Sequence, residues 1–288
     1  MRQAFVVGLI SGGIYGLYAL GLVLVYKGAG VLNFAQAEIG TFALYIAQLI
    51  VTVHHLPYPL GAAAAIASSI AIGLVFERTA VRPLRTASRL TVCVATIGLL
   101  SLLIALEIIF YGPLPRLMRP PIGGLGFDVG GVIVSPTQVV SLIVVAAVGL
   151  ALAAFLRGTD FGLGVLAAAQ DQEAVRFLGI RFSRVSIFTW GVAAGLSGLA
   201  ALLIQPTVGV ISPNAFGGVF IKSLAAALIG GLASLPGAFV GGVVVGVLEA
   251  QVTHATINTN FPGLAELVVF AAILAVLLFR PQGLVPER

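Results

Sequence analysis

Residues 4–26 read AFVVGLISGGIYGLYALGLVLVY, an apolar run that contains no charged side chain and follows Arg2 closely. A helix that crosses the hydrocarbon core of a bilayer needs about 20 predominantly apolar residues. The run is longer than the apolar core of a signal peptide, and it has no convincing A-x-A cleavage site. We therefore expect it to remain in the protein as a membrane-spanning helix.

The rest of the chain repeats this pattern. Of the 288 residues, 59% are hydrophobic and 9% are charged, whereas a soluble domain carries about 25% charged residues. The composition predicts an all-α, polytopic transmembrane helical bundle of about eight or nine membrane segments, organised as a single domain over residues 1–288. The eight further apolar runs lie at about 34–53, 58–77, 90–111, 136–156, 185–205, 219–233, 236–252 and 264–280.

Two of these runs are short and are separated only by Ser234-Leu235-Pro236. The runs 219–233 and 236–252 are either two thin crossings or one helical hairpin that enters deeply and turns back. Proline favours such a turn because it has no amide hydrogen.

Positive charge indicates the two sides of the membrane. The net charge is +5, and every basic residue except Lys27 and Lys222 is arginine. In a soluble protein this charge would suggest nucleic acid as a partner. Here the arginines lie in short loops between apolar runs, so we expect membrane lipid and no nucleic acid around the chain. The positive-inside rule places the segments 78–89 and 157–184 in the cytoplasm and the loop 112–135 outside.

The side of the N-terminus stays open at this point. Three full crossings before Arg78 would place it outside, against the mild pull of Arg2. Alternatively, one early run is broken and does not cross, and the segment 28–33, GAGVLN, is the natural place for a break.

Glycines recur at four-residue spacing along several runs. Such positions let helix backbones approach closely in lipid, and the spacing favours tight packing inside one bundle over an interface between subunits. The glycines concerned are Gly8, Gly12, Gly16, Gly191, Gly195, Gly237, Gly241, Gly242 and Gly246.

Motifs for enzymatic chemistry are absent from the sequence. Lys222-Ser223 follows Ile221 where a phosphate loop needs glycine, no G-x-S-x-G elbow occurs, and the histidines lack the spacing of a metal site. The single cysteine, Cys93, excludes an internal disulfide. We expect no catalytic residue, no metal site and no cofactor in the chain, so energy for work on a gradient must come from elsewhere.

Five ionisable residues lie in or near apolar runs. Glu38 differs from the other four because it follows Asn33 and Gln36 in a mostly apolar stretch. Polar groups at membrane depth beside a helix break can face a cavity, so these three residues are predicted to line or flank a translocation pathway. Alternatively, they only hydrogen-bond neighbouring helices. The other four residues lie near predicted outer ends and are interpreted as interfacial charges: Glu107, Lys222, Glu249 and Glu266.

The segment 157–184 contains AAAQDQEAVRFLGI at 167–180. Its alanines, Gln170, Glu173 and Arg176 favour a short helix. Gly179 is well placed to end that helix in the left-handed conformation. Apolar residues fall near one stripe, so the helix would either dock on another protein or lie on the membrane surface.

At this segment the sequence resembles the permeases of bacterial ABC importers, whose coupling motif is an alanine-rich turn with an acidic residue, then a glycine and an apolar residue. From end to end, the chain resembles the LivH-type permeases of branched-chain amino-acid importers. It departs from that pattern by carrying Gln36, Ala37 and Glu38 where the family usually has histidine and glycine before the acidic residue. The matching pieces are Gly21-Leu22 through Asn33-Phe34-Ala35, the segment 160–180, AALIGG at 226–231, SLPGA at 234–238 with Gly241-Gly242, and RPQGL at 280–284.

The resemblance implies a permease subunit that moves branched-chain amino acids or a related small solute, including urea and amides, across the inner membrane. It implies as partners a homologous second permease of the LivM type, two cytoplasmic ATPase subunits that bind ATP and Mg, and a periplasmic solute-binding protein. A helix over 165–178 would lie in a groove of one ATPase. The implied coupling residues are Ala168, Asp171, Glu173, Ala174, Leu178, Gly179 and Ile180.

Two other functions stay open on the sequence. A secondary carrier driven by an ion gradient would keep ionisable residues near the membrane midplane, and Glu38 would then be essential for uptake. A structural or assembly subunit would have no pathway of its own, and bulky substitutions near Asn33 and Gln36 would leave solute flux unaffected.

Overall fold

The computed structural model describes residues 1–118, 120–122, 126–128, 132–170, 182–256, 263–280 and 283–284. Within these ranges the chain is almost entirely helical. The α-helices are α1 (Arg2–Ala29), α2 (Gln36–Gln48), α3 (Tyr58–Phe76), α4 (Arg89–Tyr111), α5 (Pro136–Gly158), α6 (Asp160–Gln170), α7 (Phe182–Val208), α8 (Gly217–Gly230), α9 (Leu235–Thr256) and α10 (Leu264–Phe279).

Short irregular elements extend or join these helices. Single π-helical turns continue α2 over Leu49–Val53 and α3 over Glu77–Val81, and a 3₁₀ turn follows at Pro83–Thr86. Two antiparallel pairs of two-residue strands complete the described structure: β1 (Arg116–Leu117) with β4 (Val210–Ile211), and β2 (Phe127–Asp128) with β3 (Ile133–Val134).

The nine predicted apolar runs correspond to helices. Seven described helices are long and apolar enough to cross a membrane, and α8 and α10 are shorter apolar helices. The helices follow the runs because a backbone in hydrocarbon must satisfy its polar groups internally. The predicted all-α, polytopic membrane fold is therefore confirmed.

The chain forms two compact units that are each discontinuous in sequence. The first contains Met1–Leu20, Pro120–Leu150 and Gly218–Arg288, and the second contains Gly21–Arg119 and Ala151–Gly217. The single domain over 1–288 stays a prediction, and each unit is described separately.

The second unit is organised around an apolar core in which Phe76 of α3 lies against Trp190 of α7, with ring centroids 5.4 Å apart. Small residues bring these two helices together, because a Cβ atom at Gly73 would lie 2.8 Å from the carbonyl oxygen of Trp190. Cβ atoms at Gly191 and Gly195 would meet α3 side chains at 3.1 and 3.0 Å. The core residues are Val25, Val31, Ala35, Ile39, Phe76, Val81, Val92, Leu99, Leu103, Trp190, Ala193 and Ala194.

In the first unit, α1 and α9 meet along facing glycines. A Cβ atom at Gly8 would lie 2.7 Å from the carbonyl oxygen of Gly246, and one at Gly12 would lie 2.7 Å from that of Gly242. Backbones this close gain dispersion contacts that larger side chains would prevent. The predicted use of these glycines for packing within one chain is confirmed.

The short runs after residue 217 form a helical hairpin of unequal arms. The 14 residues of α8 span about 21 Å, which is less than the hydrocarbon core of about 30 Å, whereas α9 is long enough to cross it. Gly231 supplies the turn with a φ of 103°, and the Ser234 hydroxyl accepts a hydrogen bond from the Gly237 amide at 3.1 Å. Pro236 lies in the first turn of α9, where its missing amide hydrogen costs nothing.

Contacts at the start of α1 bear on the side of the N-terminus. The Gln3 side chain exchanges two hydrogen bonds with the backbone of Ile133, at 2.8 and 2.9 Å. The start of α1 therefore lies with the loop 112–135, which positive charge places outside. The third candidate span ends at Val81, inside the segment 78–89. Three crossings place the N-terminus and this segment on opposite sides of the membrane, so an outer N-terminus agrees with a cytoplasmic segment 78–89.

Candidate translocation site

The helical structure is interrupted between α1 and α2, at the segment that the sequence analysis gives as the natural place for a break. Gly30 adopts a φ of 70°, and its amide donates a hydrogen bond to the Tyr26 carbonyl oxygen at 2.8 Å. Glycine tolerates this left-handed conformation because it has no Cβ atom, and it commonly ends a helix in this way. The chain then runs without helix until α2 begins at Gln36.

Asn33 and Gln36 make hydrogen bonds that fix the conformation of this break. The Asn33 side chain accepts a hydrogen bond from the Ala35 amide at 3.1 Å and donates one to Gln36 Oε1 at 3.1 Å. Gln36 Nε2 donates to the Ala193 carbonyl oxygen of α7 at 2.8 Å. Gly21 leaves room for this amide, because a Cβ atom at that position would lie 2.4 Å from Gln36 Nε2.

Two hydroxyl groups on neighbouring helices complete this network. Thr96 Oγ1 of α4 accepts a hydrogen bond from the Phe34 amide at 3.2 Å, and the Ser197 hydroxyl of α7 donates to the Gln36 carbonyl oxygen. Sequence reasoning missed both residues, since a single hydroxyl in an apolar run gives no indication of which backbone group it will meet.

The contacts of Asn33 and Gln36 bear on the two interpretations of the predicted pathway residues. Asn33 and Gln36 are buried in the chain, at 1% and 0% exposure, and their amides bind other protein groups. In this conformation they therefore serve as links between helices, which is the second interpretation. A role in the pathway itself stays a prediction.

Glu38 is held differently from these two residues. It lies in the first turn of α2, is 1% exposed, and its Oε1 accepts a hydrogen bond from the Asn214 amide at 3.0 Å. Asn214 adopts a φ of 60°, which is uncommon for a residue other than glycine. The carboxyl group thus connects α2 to the loop between β4 and α8.

Glu107 corrects a prediction from the sequence. Its position near the end of α4 suggested a solvated interfacial charge, but the side chain is 0% exposed. Its carboxyl group lies beside that of Glu38, and neither of its oxygens makes a hydrogen bond of ordinary geometry with a described residue. Buried polar groups without partners are rare, so this carboxyl pair is a candidate functional feature that the sequence did not reveal.

Two stacked tyrosines adjoin the carboxyl pair. The rings of Tyr45 and Tyr111 lie 4.6 Å apart at an interplanar angle of 16°, and Tyr45 lies near both carboxyl groups. Arg116 covers the other tyrosine, with its guanidinium 5.7 Å from the Tyr111 ring centroid. The buried Tyr45 hydroxyl has no hydrogen-bond partner among the described residues. The second unit therefore contains a polar cluster of Glu38, Glu107, Tyr45, Tyr111 and Arg116.

The other three ionisable residues that the sequence places near outer ends of spans lie in the first unit. Lys222 Nζ and Glu249 Oε1 form an ion pair at 2.5 Å, with side chains 17% and 19% exposed. Glu266 is exposed, as expected for an interfacial charge. Among the residues that the structure describes, no group of three or more His, Cys, Asp or Glu could hold a metal ion.

The predicted coupling segment is partly described. Its helix, α6, begins at Asp160, five residues before the predicted start at 165, because Thr159 caps it: the Gly162 amide donates to Thr159 Oγ1 at 3.0 Å. A threonine cap can be recognised in a sequence, but the prediction relied on the alanine run and therefore placed the helix start too late.

Ala168, one of the predicted coupling residues, is buried. The other predicted coupling residues lie outside the described residues: Asp171, Glu173, Ala174, Leu178, Gly179 and Ile180.

Aromatic contacts attach α6 to its neighbours. The Phe188 ring of α7 lies 5.2 Å from that of Phe155 at the end of α5 and 5.3 Å from that of Phe161 in α6. These contacts join α6 to the end of α5 and to the first half of α7.

Comparison with known proteins identifies the family. Residues 4–277 match the family described as the permease component of branched-chain amino acid transport systems. The chain belongs to this family.

Individual relatives resemble this permease over nearly its whole length. It is 32% identical to the high-affinity branched-chain amino acid transport system permease protein BraD of Pseudomonas aeruginosa, over 98% of this chain and 94% of that protein. It is 30% identical to the corresponding LivH protein of Escherichia coli K12, over 96% and 92%. The solved structure of PsaBC from Streptococcus pneumoniae in complex with Fab shares the fold, with a TM-score of 0.52, 14% identity, and coverage of 98% of this chain and 92% of that one. The permease is thus a multi-pass protein of the inner membrane.

Proposed function

We propose that this chain is the permease subunit of an ABC importer that carries branched-chain amino acids or a closely related small solute into the cell. The observation that carries the proposal is the family match over residues 4–277, which includes the break, the polar cluster and α6. The relatives with full-length similarity have names that specify branched-chain amino acid transport, so leucine, isoleucine and valine are the first solutes to test.

The permease would work with three kinds of partner. A homologous LivM-type permease would complete the pathway, two cytoplasmic ATPase subunits would bind ATP and Mg, and a periplasmic binding protein would deliver the solute. The chain itself would hold no ATPase site and no cofactor. The absence of a phosphate-loop motif in the sequence supports this assignment.

Coupling would run through the segment 157–184. The ATPases would hold this segment, and their closure on ATP would bias the helices between inward-facing and outward-facing states. The aromatic contacts of Phe188 with Phe155 and Phe161 support such a route, because they join α6 to α5 and α7.

Solute would pass beside α2, where the polar groups of the second unit are concentrated. Asn33 and Gln36 would keep the break in shape, and Glu38 with Glu107 would attract the ammonium group of an amino acid. The position of both acidic side chains next to each other within a helical bundle supports this role, since ionisable residues there are costly and are retained mainly for function.

The central experiment is reconstitution of the complete transporter in proteoliposomes with the binding protein and labelled leucine. ATP-dependent uptake is expected, and substitution of Asp171 or Gly179 should leave membrane insertion intact while separating ATP hydrolysis from uptake. Uptake by the permease alone in an ion gradient would instead indicate a secondary carrier. Solute-stimulated ATPase activity that is unchanged in both variants would contradict the proposed coupling segment.

A further inference from the structure

A second polar site lies in the second unit, at the segment 78–89 that positive charge places in the cytoplasm. A cavity of about 210 Å³ opens there between the end of α3 and the starts of α4 and α7. Its polar lining consists of Glu77, Arg82, Arg85, Arg89, Ser183 and Ser186. None of these residues belongs to the predicted pathway, and Ser183 alone lies in the coupling segment 157–184.

The cavity is strongly positive at one wall. Arg82, Arg85 and Arg89 contribute three guanidinium groups, and none of them forms an ion pair with another residue in the described part of the chain. Two helix N-termini add to this field, because Arg89 begins α4 and Ser183 lies in the first turn of α7. Arginine and helix N-termini both favour phosphate groups.

The opposite wall of the cavity contains Glu77, one of whose carboxylate oxygens has no hydrogen-bond donor among the described residues. Glu77 is 1% exposed, and its Oε1 accepts a hydrogen bond from the Ser186 hydroxyl at 2.9 Å. Its Oε2 has no hydrogen-bond partner among the described residues. A buried carboxylate oxygen without a partner is costly, and a ligand with an N–H or O–H group in the cavity would satisfy it.

From these two walls we infer that the cavity binds a phosphate ester that carries its own hydrogen-bond donor. The phosphate lies against the arginines, and the donor reaches Glu77. Apolar side chains such as Leu84 and Val92 line the rest of the cavity, which suits a group that enters from the membrane. The head groups of phosphatidylethanolamine and phosphatidylglycerol have this chemistry, as does a soluble phosphoester of similar size. Phosphatidylcholine has the phosphate but no N–H or O–H donor.

The test uses the full-length permease in complex with its partner subunits, in nanodiscs made from equal parts of phosphatidylethanolamine and phosphatidylcholine. After transfer to mild detergent, native mass spectrometry measures which lipid stays bound. We expect phosphatidylethanolamine to be retained in preference to phosphatidylcholine. The double variant Arg85→Ala, Arg89→Ala should retain about tenfold less of it, since each guanidinium removed takes away charge-assisted hydrogen bonds.

Arg78→Ala is the matched control, because Arg78 is an exposed arginine of the same segment and does not line the cavity. Its lipid retention should equal that of the unaltered protein. Glu77→Gln replaces one of the two acceptor oxygens by an NH2 donor and should reduce the preference for phosphatidylethanolamine over phosphatidylcholine without abolishing phosphate binding. A thermal unfolding measurement on each variant shows that it is folded.

A soluble arm distinguishes the two sources of the ligand. Lipid-stripped complex is titrated with O-phosphoethanolamine, and the shift in unfolding temperature is compared between the unaltered protein and the arginine double variant. An arginine-dependent shift without selective lipid retention would assign the site to a soluble phosphoester. Equal retention of both lipids in all variants, together with no arginine-dependent shift, would overturn the inference.

Discussion

The carboxyl group of Glu38 accepts a hydrogen bond from the backbone amide of Asn214 at 3.0 Å, which joins the first turn of α2 to the loop that precedes α8. This bond connects positions 176 residues apart in the chain. Asn214 lies in the left-handed region, so the bond supports a backbone conformation that is uncommon for a residue other than glycine. The same carboxyl group lies beside Glu107, so one side chain has both a structural and an electrostatic role.

Two substitutions of Glu38 distinguish its structural role from its electrostatic role. Glu38→Gln keeps an acceptor for the Asn214 amide, so the stability of the permease should change little. Glu38→Ala leaves that amide unpaired and should cost about 1–3 kcal/mol. Thermal unfolding in one detergent measures the difference. If uptake depends on the charge, both variants should transport poorly, and a fully active Glu38→Gln would restrict Glu38 to the structural role.

Glu107→Gln tests the electrostatic role alone. The carboxyl oxygens of Glu107 have no partner among the described residues, so neutralising the side chain should leave the free energy of unfolding unchanged or slightly higher. Leucine uptake should fall about tenfold or more, because an ammonium group in transit would lose a charged partner.

Glu266→Gln is the control for this variant, since it removes an exposed carboxyl group from α10 and should leave uptake unchanged. Reconstituted uptake with the complete transporter is the measurement. A Glu107→Gln variant that is destabilised and still transports normally would show that the carboxyl group serves packing and not the solute.

Gly12→Ala should destabilise the first unit. The added Cβ atom would lie 2.7 Å from the Gly242 carbonyl oxygen, so α1 and α9 would have to separate, at a cost of about 1–3 kcal/mol. Gly98→Ala is the matched control, because a Cβ atom there meets no heavy atom within 4 Å. The unfolding temperatures of the two variants should differ, and equal values would mean that the helix contact contributes little.

The extent of the helices was predictable from the sequence because the membrane imposes it. A backbone in hydrocarbon must pair its polar groups, so an apolar run such as 136–156 reappears as the helix Pro136–Gly158 with small differences at its ends. The glycine spacing was equally informative, because residues four positions apart lie on the same face of one helix. Gly8 and Gly12 therefore indicated a close contact before any partner helix was known.

The partners of single polar residues were not predictable. Glu107 lies four residues before the end of α4, and that distance suggested solvent, but burial depends on which elements cover a position. Thr96 and Ser197 bind backbone groups of the break, and nothing in their local sequence indicates this. Asn33, Gln36 and Glu38 stood out because they interrupt an apolar stretch, which identifies a polar site without identifying its contacts.

The contribution of Lys222 to the stability of the permease should depend on Glu249, and that of Glu249 on Lys222. Both side chains are less than one-fifth exposed, so Lys222→Met would leave a partly buried carboxylate unpaired and should destabilise the permease by about 3 kcal/mol or somewhat less. Exchanging the two residues, with Lys222→Glu and Glu249→Lys together, should restore part of the loss. A double-mutant cycle measured by thermal unfolding gives the coupling energy, and a value near zero would mean that solvent and lipid head groups already satisfy both charges.

Thr159→Ala should loosen the start of the coupling segment. The variant removes the acceptor of the Gly162 amide, and loss of a helix cap costs about 0.5–2 kcal/mol. Faster amide hydrogen exchange is expected over residues 160–170, with little change in α7. Because α6 would transmit ATPase closure to α5 and α7, uptake per ATP hydrolysed should also fall. Thr159→Ser keeps the hydroxyl and is the control, so it should retain both the protection and the transport ratio. Unchanged exchange in the alanine variant would show that the aromatic contacts of Phe161 alone hold this helix in place.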